Sequence, residues 1–260
     1  MGTRASAGFT IIETMLFLAI SGVLVISLLV GVGASLNVQR YHDATETFKN
    51  TIQQQYAALS NVQNGRGNDW SCDSNAQANE GGSEIRGQSE CVILGKYLRI
   101  ENGSMQVYTV LARQISNSDQ SNDIDLLRNN YALNASSSQV EERSMEWGTK
   151  IGWPVSGAGA SPLSTVGILF VRSPDTGLIY TFTSRDIPPA GAISNATFSA
   201  MLVAGNSIPG QGSMLLCIKS DGLVLTGDTG LYIPAFASNS SAVELRTNNT
   251  TPVLAGNPKC

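Results

Sequence analysis

The sequence predicts an α+β protein in which one long N-terminal helix packs on a β-rich head of antiparallel strands. Two observations support this prediction. No charged residue occurs from Thr14 to Leu36, and an apolar pattern of helical period continues from there to about residue 62. Beyond residue 90 the pattern changes to short β-rich runs separated by Gly, Asn, Asp and Pro. One helix followed by a series of strands is typical of the α+β class.

The uncharged segment from Thr14 to Leu36 is long enough to cross a membrane, since a transmembrane helix needs about 20 apolar residues. Backbone groups in lipid must be satisfied within their own segment, so a spanning segment here must be helical. Glu13 places a carboxylate at the edge of this run. An unpaired charge in lipid costs roughly 2.5 kcal/mol or more. We therefore expect Glu13 to have a cationic partner.

The same helix is expected to continue beyond the uncharged segment. Apolar residues with two polar breaks recur at spacings of three and four: Val38, Tyr41, Thr45, Phe48, Ile52, Gln55, Leu59 and Val62. Neither Pro nor Gly interrupts residues 36–64, and Gly65 and Gly67 then favour a helix end. We therefore expect one helix from Phe9 to about Val62, roughly 80 Å long. Its second half would pack on the head.

The head contains three predicted hairpins. Asn102-Gly103 lies between β-rich runs at 92–100 and 105–115, which is a strong short-range hairpin signal. The other two hairpins are expected at 165–172 with 178–183, and at 214–219 with 223–226. The remaining expected elements are a polar loop at 68–90, a long loop at 116–146 with a strand near 139–145, a short strand at 147–153, a short helix at 195–203, and strands at 231–237 and 242–246.

The four cysteines all follow the uncharged segment. None forms a C-x-x-C pair, which argues against a zinc site. An even number of cysteines in an exported region indicates disulfides, and four cysteines allow three connectivities. We favour Cys72–Cys91 and Cys217–Cys260, because each pair closes a local loop. Four free or buried thiols are the alternative.

Composition argues against several classes of function. The net charge is −4, charged residues make up 14% of the chain, and no basic patch points to a specific nucleic acid. His42, the only histidine, lies on the long helix, which excludes a histidine-dependent triad or metal site in the head. Walker, G-x-S-x-G and EF-hand patterns are also absent from the sequence. We expect no catalytic residue, no metal and no cofactor.

Two Asp-Thr-Gly triplets, at Asp175 and Asp228, match the triplet of aspartic proteases. An aspartyl hydrolase would need the two carboxylates to face each other. Both triplets lie where turns are expected, and Asp-x-Gly is ordinary turn chemistry. We favour the turn interpretation and retain the hydrolase, and a calcium site near Asp221 and Asp228, as alternatives.

Trp70, Trp147 and Trp153 are interpreted as half-buried head residues, with a binding surface as the alternative.

The N-terminus combines a basic residue, Arg4, with Gly8, Phe9 and Glu13, directly continuous with the uncharged segment. This arrangement resembles the N-terminus of type IV pilins and pseudopilins, closely over residues 1–60 and loosely beyond. The resemblance implies cleavage between Gly8 and Phe9 by a prepilin peptidase, followed by methylation of the new amine. It also implies that Glu13 pairs with the N-terminal amine of a neighbouring subunit. An ordinary signal anchor is the alternative, although a secretory signal would be cleaved after its apolar core.

The resemblance divides the chain into a leader (1–8), a transmembrane or filament-core helix (9–36), a helix continuation that forms the spine of the head (37–64) and a β-rich globular head (65–260). It implies a minor pilin or pseudopilin, similar to the H-type, whose partners are other pilin-like subunits, the prepilin peptidase and the membrane. The N-terminus would be cytoplasmic and the head exported, reaching the cell surface after assembly. Val30 departs from the family, which often has proline there. The alternative is a membrane-anchored adhesin or receptor that does not assemble.

Overall fold

The computed structural model describes residues 10–61, 70–82, 84–85, 87–101, 103–138, 140–154, 165–185, 187–202, 214–220, 229–234, 237–247 and 260. The helices in this part of the chain are α1 (Ile11–Ser60), α2 (Asp123–Asn130) and α3 (Asn195–Met201). The strands are β1 (Trp70–Cys72), β2 (Ala78–Glu80), β3 (Cys91–Glu101), β4 (Ser104–Gln114), β5 (Tyr131–Ala135), β6 (Glu141–Ser144), β7 (Lys150–Gly152), β8 (Val166–Arg172), β9 (Ile179–Ser184), β10 (Met214–Lys219), β11 (Thr229–Ile233) and β12 (Glu244–Thr247). A long N-terminal helix packed on antiparallel sheets confirms the predicted α+β class.

Helix α1 is continuous over 50 residues, as the uninterrupted pattern predicts. Only its second half is buried, through Tyr41, Ala44, Thr45, Phe48, Thr51, Ile52, Gln55, Tyr56 and Leu59. The predicted stripe was wrong at Val38, which is 45% exposed because the helix has not yet reached the head at that point. Ala44, Thr51 and Tyr56 were missed because the buried face is wider than one residue per turn. Phe9 and Val62 lie outside the described residues.

The larger sheet has the strand order β5-β4-β3-β8-β9, and every neighbouring pair is antiparallel. β6 lies beside β4 on the same edge as β5, but nearer the hairpin turn that joins β3 to β4. In that turn Gly103 has a φ of +80°, a left-handed conformation that suits glycine. This hairpin and the β8–β9 hairpin confirm two of the three predicted hairpins.

The smaller sheet has the order β12-β11-β10-β7, and its strands are also antiparallel. One face of each sheet and the second half of α1 share a single hydrophobic core. Leu98 and Phe170 come from the larger sheet, Leu216 and Leu231 from the smaller one, and Phe48 from the helix. Successive side chains of a strand point to opposite faces, so the alternate side chains of each strand point away from this core.

The opposite face of the larger sheet forms a second core with α2 and α3. The Tyr97 and Phe198 rings meet there edge to face, with centroids 5.3 Å apart. Leu127 of α2 and Leu169 of β8 are fully buried in the same core. The larger sheet is therefore covered by α1 and the smaller sheet on one face and by two short helices on the other. The short helix predicted at 195–203 is confirmed as α3.

The loop predicted at 116–146 was wrong where the structure has α2 and β5, whereas the strand predicted near 139–145 is confirmed as β6. Its polar composition concealed the short helix α2, which is capped by Asn122: the side-chain oxygen of Asn122 accepts a hydrogen bond from the Asp125 amide at 2.9 Å. The loop predicted at 68–90 likewise contains the β1–β2 ladder.

Two further boundaries differ from the prediction. The strand predicted at 147–153 is a 3-10 turn at Glu146–Gly148 followed by the shorter β7. In the third predicted hairpin, the expected second strand at 223–226 lies outside the described residues. Among the described residues, β10 pairs with β11 on one side and with β7 on the other.

Candidate functional site

The first half of α1 presents an apolar surface that the rest of the described chain leaves uncovered. Each large apolar side chain from Ile11 to Leu36 is between 44% and 79% exposed, and the first buried residue of the helix is Tyr41. This is the one helix among the described residues that is long and apolar enough to cross a membrane, and it lies near the N-terminus. Such a helix is typical of a membrane anchor or a signal sequence. A continuous exposed apolar surface, such as the one from Ile11 to Leu36, indicates an interaction with lipid or protein.

Glu13 lies at the beginning of this surface and forms a capping box with Thr10. The Thr10 backbone amide and hydroxyl each donate to Glu13 Oε2 at 3.1 Å, and the Glu13 amide donates to Thr10 Oγ1 at 3.3 Å. The carboxylate thereby satisfies a backbone donor at the helix start and is favourably placed at the positive end of the helix dipole. Glu13 remains exposed and can accept a further hydrogen bond. Gly8 and Phe9 lie outside the described residues.

The head is fastened to α1 just beyond the exposed surface. The Tyr41 hydroxyl donates to the Ile218 carbonyl at 2.6 Å and accepts from the Thr229 amide at 2.7 Å. The Arg40 guanidinium lies over the Trp147 ring, 4.8 Å from its centroid. Together these contacts tie the helix to β10, to β11 and to the turn before β7.

A second set of contacts lies further along α1. The Tyr56 and Thr181 hydroxyls are 2.9 Å apart, and Thr181 donates to the Ala237 carbonyl at 2.9 Å. The Tyr56 ring meets the Phe170 ring edge to face at 5.0 Å. Burial raises the pKa of Tyr56 to about 12, so its hydroxyl keeps its proton at alkaline pH values at which an exposed tyrosine ionises. The two sets of contacts hold the second half of α1 at two well-separated points.

The structure contains both disulfides that the local-loop argument favours. Cys72–Cys91 joins β1 to the start of β3, with a Cα–Cα distance of 5.7 Å. Cys217–Cys260 joins β10 to the C-terminal residue of the sequence, with a Cα–Cα distance of 5.1 Å. Gly230 leaves room for the second disulfide, because a Cβ there would lie 3.1 Å from Cys260 Sγ and 2.6 Å from a methyl of Leu215. None of the described cysteines is free.

The residues considered for catalysis are only partly described. Asp175 lies in the turn between β8 and β9, where its amide donates to Ser173 Oγ at 3.3 Å. Asp228 and Asp221 lie outside the described residues, so the structure does not place the pair. His42 is exposed on α1. Within the described ranges, no three His, Cys, Asp or Glu side chains come together as a metal site would require.

The sequence did not distinguish Trp147 from the other two tryptophans, since all three were interpreted as half-buried residues of the head. Trp147 is 50% exposed, whereas Trp70 and Trp153 are partly buried. The backbone of Trp147 is left-handed, with φ 54° and ψ 29°, which is uncommon for a large side chain. The following glycine, Gly148, was the only local signal for such a turn.

A long apolar N-terminal helix packed on antiparallel sheets that carry two disulfides is a pilin-like architecture. In comparisons with protein-family models, curated proteins and solved structures, nothing matches this chain.

Proposed function

We propose that this chain is a structural subunit, a minor pilin or pseudopilin, of a type IV pilus, competence or type II secretion filament. The observation that carries the proposal is the division of α1 into two halves with opposite environments. The second half is buried in the head, while the first half leaves its whole apolar surface uncovered. A single rigid element therefore offers a surface that only lipid or other apolar helices can cover.

The exposed half suits both a membrane and a helical filament core. From Ile11 to Leu36 it rises about 39 Å at 1.5 Å per residue, which is enough to cross a hydrocarbon core of about 30 Å. Its apolar residues surround the helix and do not form a single stripe. A helix that is apolar all round is expected in lipid or at the centre of a bundle. A subunit leaving the bilayer would exchange the first environment for the second.

Glu13 supplies the polar contact that would set the position of one subunit against the next. Its carboxylate is at the exposed tip of the helix, where it binds Thr10 within its own chain. A neighbouring N-terminal amine would provide the cation that a carboxylate in an apolar environment requires. Single polar groups at apolar helix interfaces are known to fix register.

The glycines of the exposed half support helix packing. A Cβ added at Gly22, Gly31 or Gly33 would meet nothing within 4 Å. The isolated fold therefore does not need these glycines, although each costs about 1 kcal/mol relative to alanine in a helix. Small residues allow helices in membranes to approach closely. We infer that they accommodate neighbouring helices.

We further propose that the protein has no catalytic activity, that residues 1–8 are a leader, and that its partners are pilin-like subunits, the prepilin peptidase and the membrane. The N-terminus would lie in the cytoplasm and the disulfide-bonded head outside it, where disulfides persist. The large β-rich head, in which the described residues include three sheets and two short helices, favours a minor subunit.

Mass spectrometry of the N-terminus of membrane-extracted protein tests this proposal. We expect the mature chain to begin at Phe9 and to carry a methyl group on its amine. A Gly8→Val variant, in which the cleavage position is altered, should retain residues 1–8 and provides the control. Recovery of an intact Met1-Gly2 end from the natural chain, in cells with an active prepilin peptidase, contradicts the proposal.

A further inference from the structure

Trp147 lies beside α1, through its contact with Arg40, just beyond the segment that is long enough to cross a bilayer. Arg40, which lies over the Trp147 ring, is the first charged residue after Glu13. It follows Leu36, the end of the uncharged segment, by four residues, or about 6 Å along the helix axis. The headgroup region adds about 5–8 Å to each side of the hydrocarbon core. If the uncharged segment fills the hydrocarbon, Arg40 and Trp147 lie at headgroup level.

The turn that carries Trp147 directs this side chain away from the core. Met145 just before it and Ile151 just after it are both buried, whereas Trp147 is 50% exposed. The chain turns Trp147 outward between these buried residues because Trp147 and Gly148 both have positive φ, 54° and 70°. An aromatic residue in the left-handed region is unfavourable, and such conformations cluster at functional sites. The fold thus holds an indole outward at a conformational cost.

The turn is fixed to the helix and to the larger sheet. Thr47 Oγ1 donates to the Glu146 carboxylate at 3.3 Å, and the Met145 amide donates to the Gly103 carbonyl at 2.8 Å. The Thr149 amide and hydroxyl both donate to the Glu146 carbonyl, at 3.1 and 2.8 Å. Trp147 is therefore held at a defined height relative to the apolar half of α1.

The charges near this turn are of both signs. Lys150 and Lys219 are partners across β7 and β10, one residue beyond Ile218, whose carbonyl binds Tyr41. On the helix, Asp43 is exposed, and Glu46 pairs with Lys49 at 3.3 Å. The Glu146 carboxylate already accepts a hydrogen bond from Thr47. Arg40, in contrast, has its guanidinium over an exposed ring, a position from which it can reach a lipid phosphate.

We propose that Trp147 and Arg40 form an interfacial anchor that docks the head on the lipid headgroups before the subunit assembles. The indole combines an apolar body with a polar N–H, which is why tryptophan is enriched where hydrocarbon meets water. Interfacial Trp and Arg residues also set the tilt and rotation of a transmembrane helix. The anchor would thus fix the height and orientation of the head on the membrane. This inference rests on the membrane anchoring in the proposed function.

Brominated lipids test this inference, because bromine quenches tryptophan fluorescence at short range. The full chain is reconstituted in phosphatidylcholine–phosphatidylglycerol vesicles whose acyl chains are brominated near the headgroup. One variant keeps only Trp147 (W70F and W153F), and the matched control keeps only Trp153 (W70F and W147F). Trp153 is a suitable control because it also lies under an arginine, Arg185, at 4.2 Å, but is partly buried against the core.

We expect the bromine to reduce Trp147 fluorescence about twofold, because an interfacial indole lies at its depth, and to leave Trp153 nearly unchanged. In the natural chain, the conservative change Trp147→Phe should remove most of the lipid-dependent quenching without changing the core. Equal, weak quenching of both single-tryptophan proteins overturns the inference.

The outcomes separate this inference from the proposed function. Protein that is lost from the vesicles after an alkaline wash overturns membrane anchoring and the docking with it. Protein that is retained with unquenched Trp147 overturns only the docking. If Trp147 is unquenched in vesicles and Trp147→Ala abolishes filament incorporation, the indole contacts a neighbouring subunit, which also overturns the docking.

Discussion

The Tyr41 hydroxyl donates a hydrogen bond of 2.6 Å to the backbone carbonyl of Ile218, which lies 177 residues further along the chain. Ile218 and Thr229 are partners at the end of the β10–β11 ladder, and the Thr229 amide donates to the same hydroxyl. One side chain of the helix therefore joins two neighbouring strands of the smaller sheet. Cys217, next to Ile218, carries the disulfide to Cys260. The helix and Cys260 thus contact adjacent positions of β10.

Tyr41→Phe is expected to lower the free energy of unfolding by about 1–3 kcal/mol, because a buried carbonyl and an amide lose their shared partner. Urea denaturation of the full chain in detergent, monitored by the near-ultraviolet circular dichroism of the head, measures this change. Thr45→Ser, on the same buried face, provides a control that keeps its hydroxyl. An unchanged unfolding free energy in Tyr41→Phe would mean that water replaces the hydroxyl without loss.

Tyr56 and Tyr97 are two buried tyrosines whose hydroxyls differ in their partners. Tyr56 meets Thr181, whereas the Tyr97 hydroxyl is buried without a hydrogen-bond partner among the described residues. Tyr56→Phe should cost about 1 kcal/mol, and Tyr97→Phe should be neutral or stabilising. Thermal unfolding of the two variants side by side checks this. Equal destabilisation by both changes would show that the Tyr56 and Tyr97 hydroxyls do not differ in their hydrogen bonding.

Alkaline pH is expected to destabilise the head. Burial raises the pKa of both Tyr56 and Tyr97 from 10.0 to about 12. The folded state holds these protons more tightly than the unfolded state, so their contribution is fully present below pH 10 and is lost as the pH rises from 10 to 12. Unfolding free energies measured across this range should fall, and less steeply in Tyr97→Phe. If the unfolding free energy of Tyr97→Phe falls with pH in parallel with that of the natural chain, Tyr97 does not contribute to the loss of stability at alkaline pH.

The two disulfides should differ in their contribution to stability. Cys72–Cys91 spans 19 residues and Cys217–Cys260 spans 43. The loop-entropy relation gives about 3 and about 4 kcal/mol for these lengths. Paired alanine substitutions at each bridge, compared by urea denaturation, measure the difference. A larger loss on removing Cys72–Cys91 would contradict a contribution set by loop length.

Much of the fold could be predicted because its signals are local. The uncharged segment and the stripe after it gave α1, and Asn102-Gly103 gave the central hairpin. Helix α2 could not be predicted in this way, since its stability comes from burying Leu127 against a sheet formed by distant strands. Tertiary packing overrode a polar composition there.

At the candidate site, both disulfide pairings could be predicted from the spacing of the cysteines, whereas the assembly role of Glu13 stays a prediction. The role of Tyr41 could not, because its partners Ile218 and Thr229 are brought to it only by the complete sheet. The exposure of Trp147 depends on two positive φ angles in succession. A strand was expected at 147–153; Gly148 could have indicated a turn there, but no residue type indicates which way the indole points.

We propose that the Glu13 carboxylate pairs with a neighbouring subunit during assembly, and two substitutions separate this role from helix capping. Glu13→Gln removes the charge but retains a side chain suited to the capping box, whereas Thr10→Ala removes the capping partner and keeps the charge. The decisive measurement is the amount of each variant in sheared filaments relative to the membrane fraction. We expect Glu13→Gln to insert in the membrane but to fall about tenfold or more in filaments, the effect of losing at least about 1.4 kcal/mol of contact energy. Thr10→Ala should assemble nearly normally. Normal incorporation of Glu13→Gln would show that the charge of Glu13 is not needed for assembly.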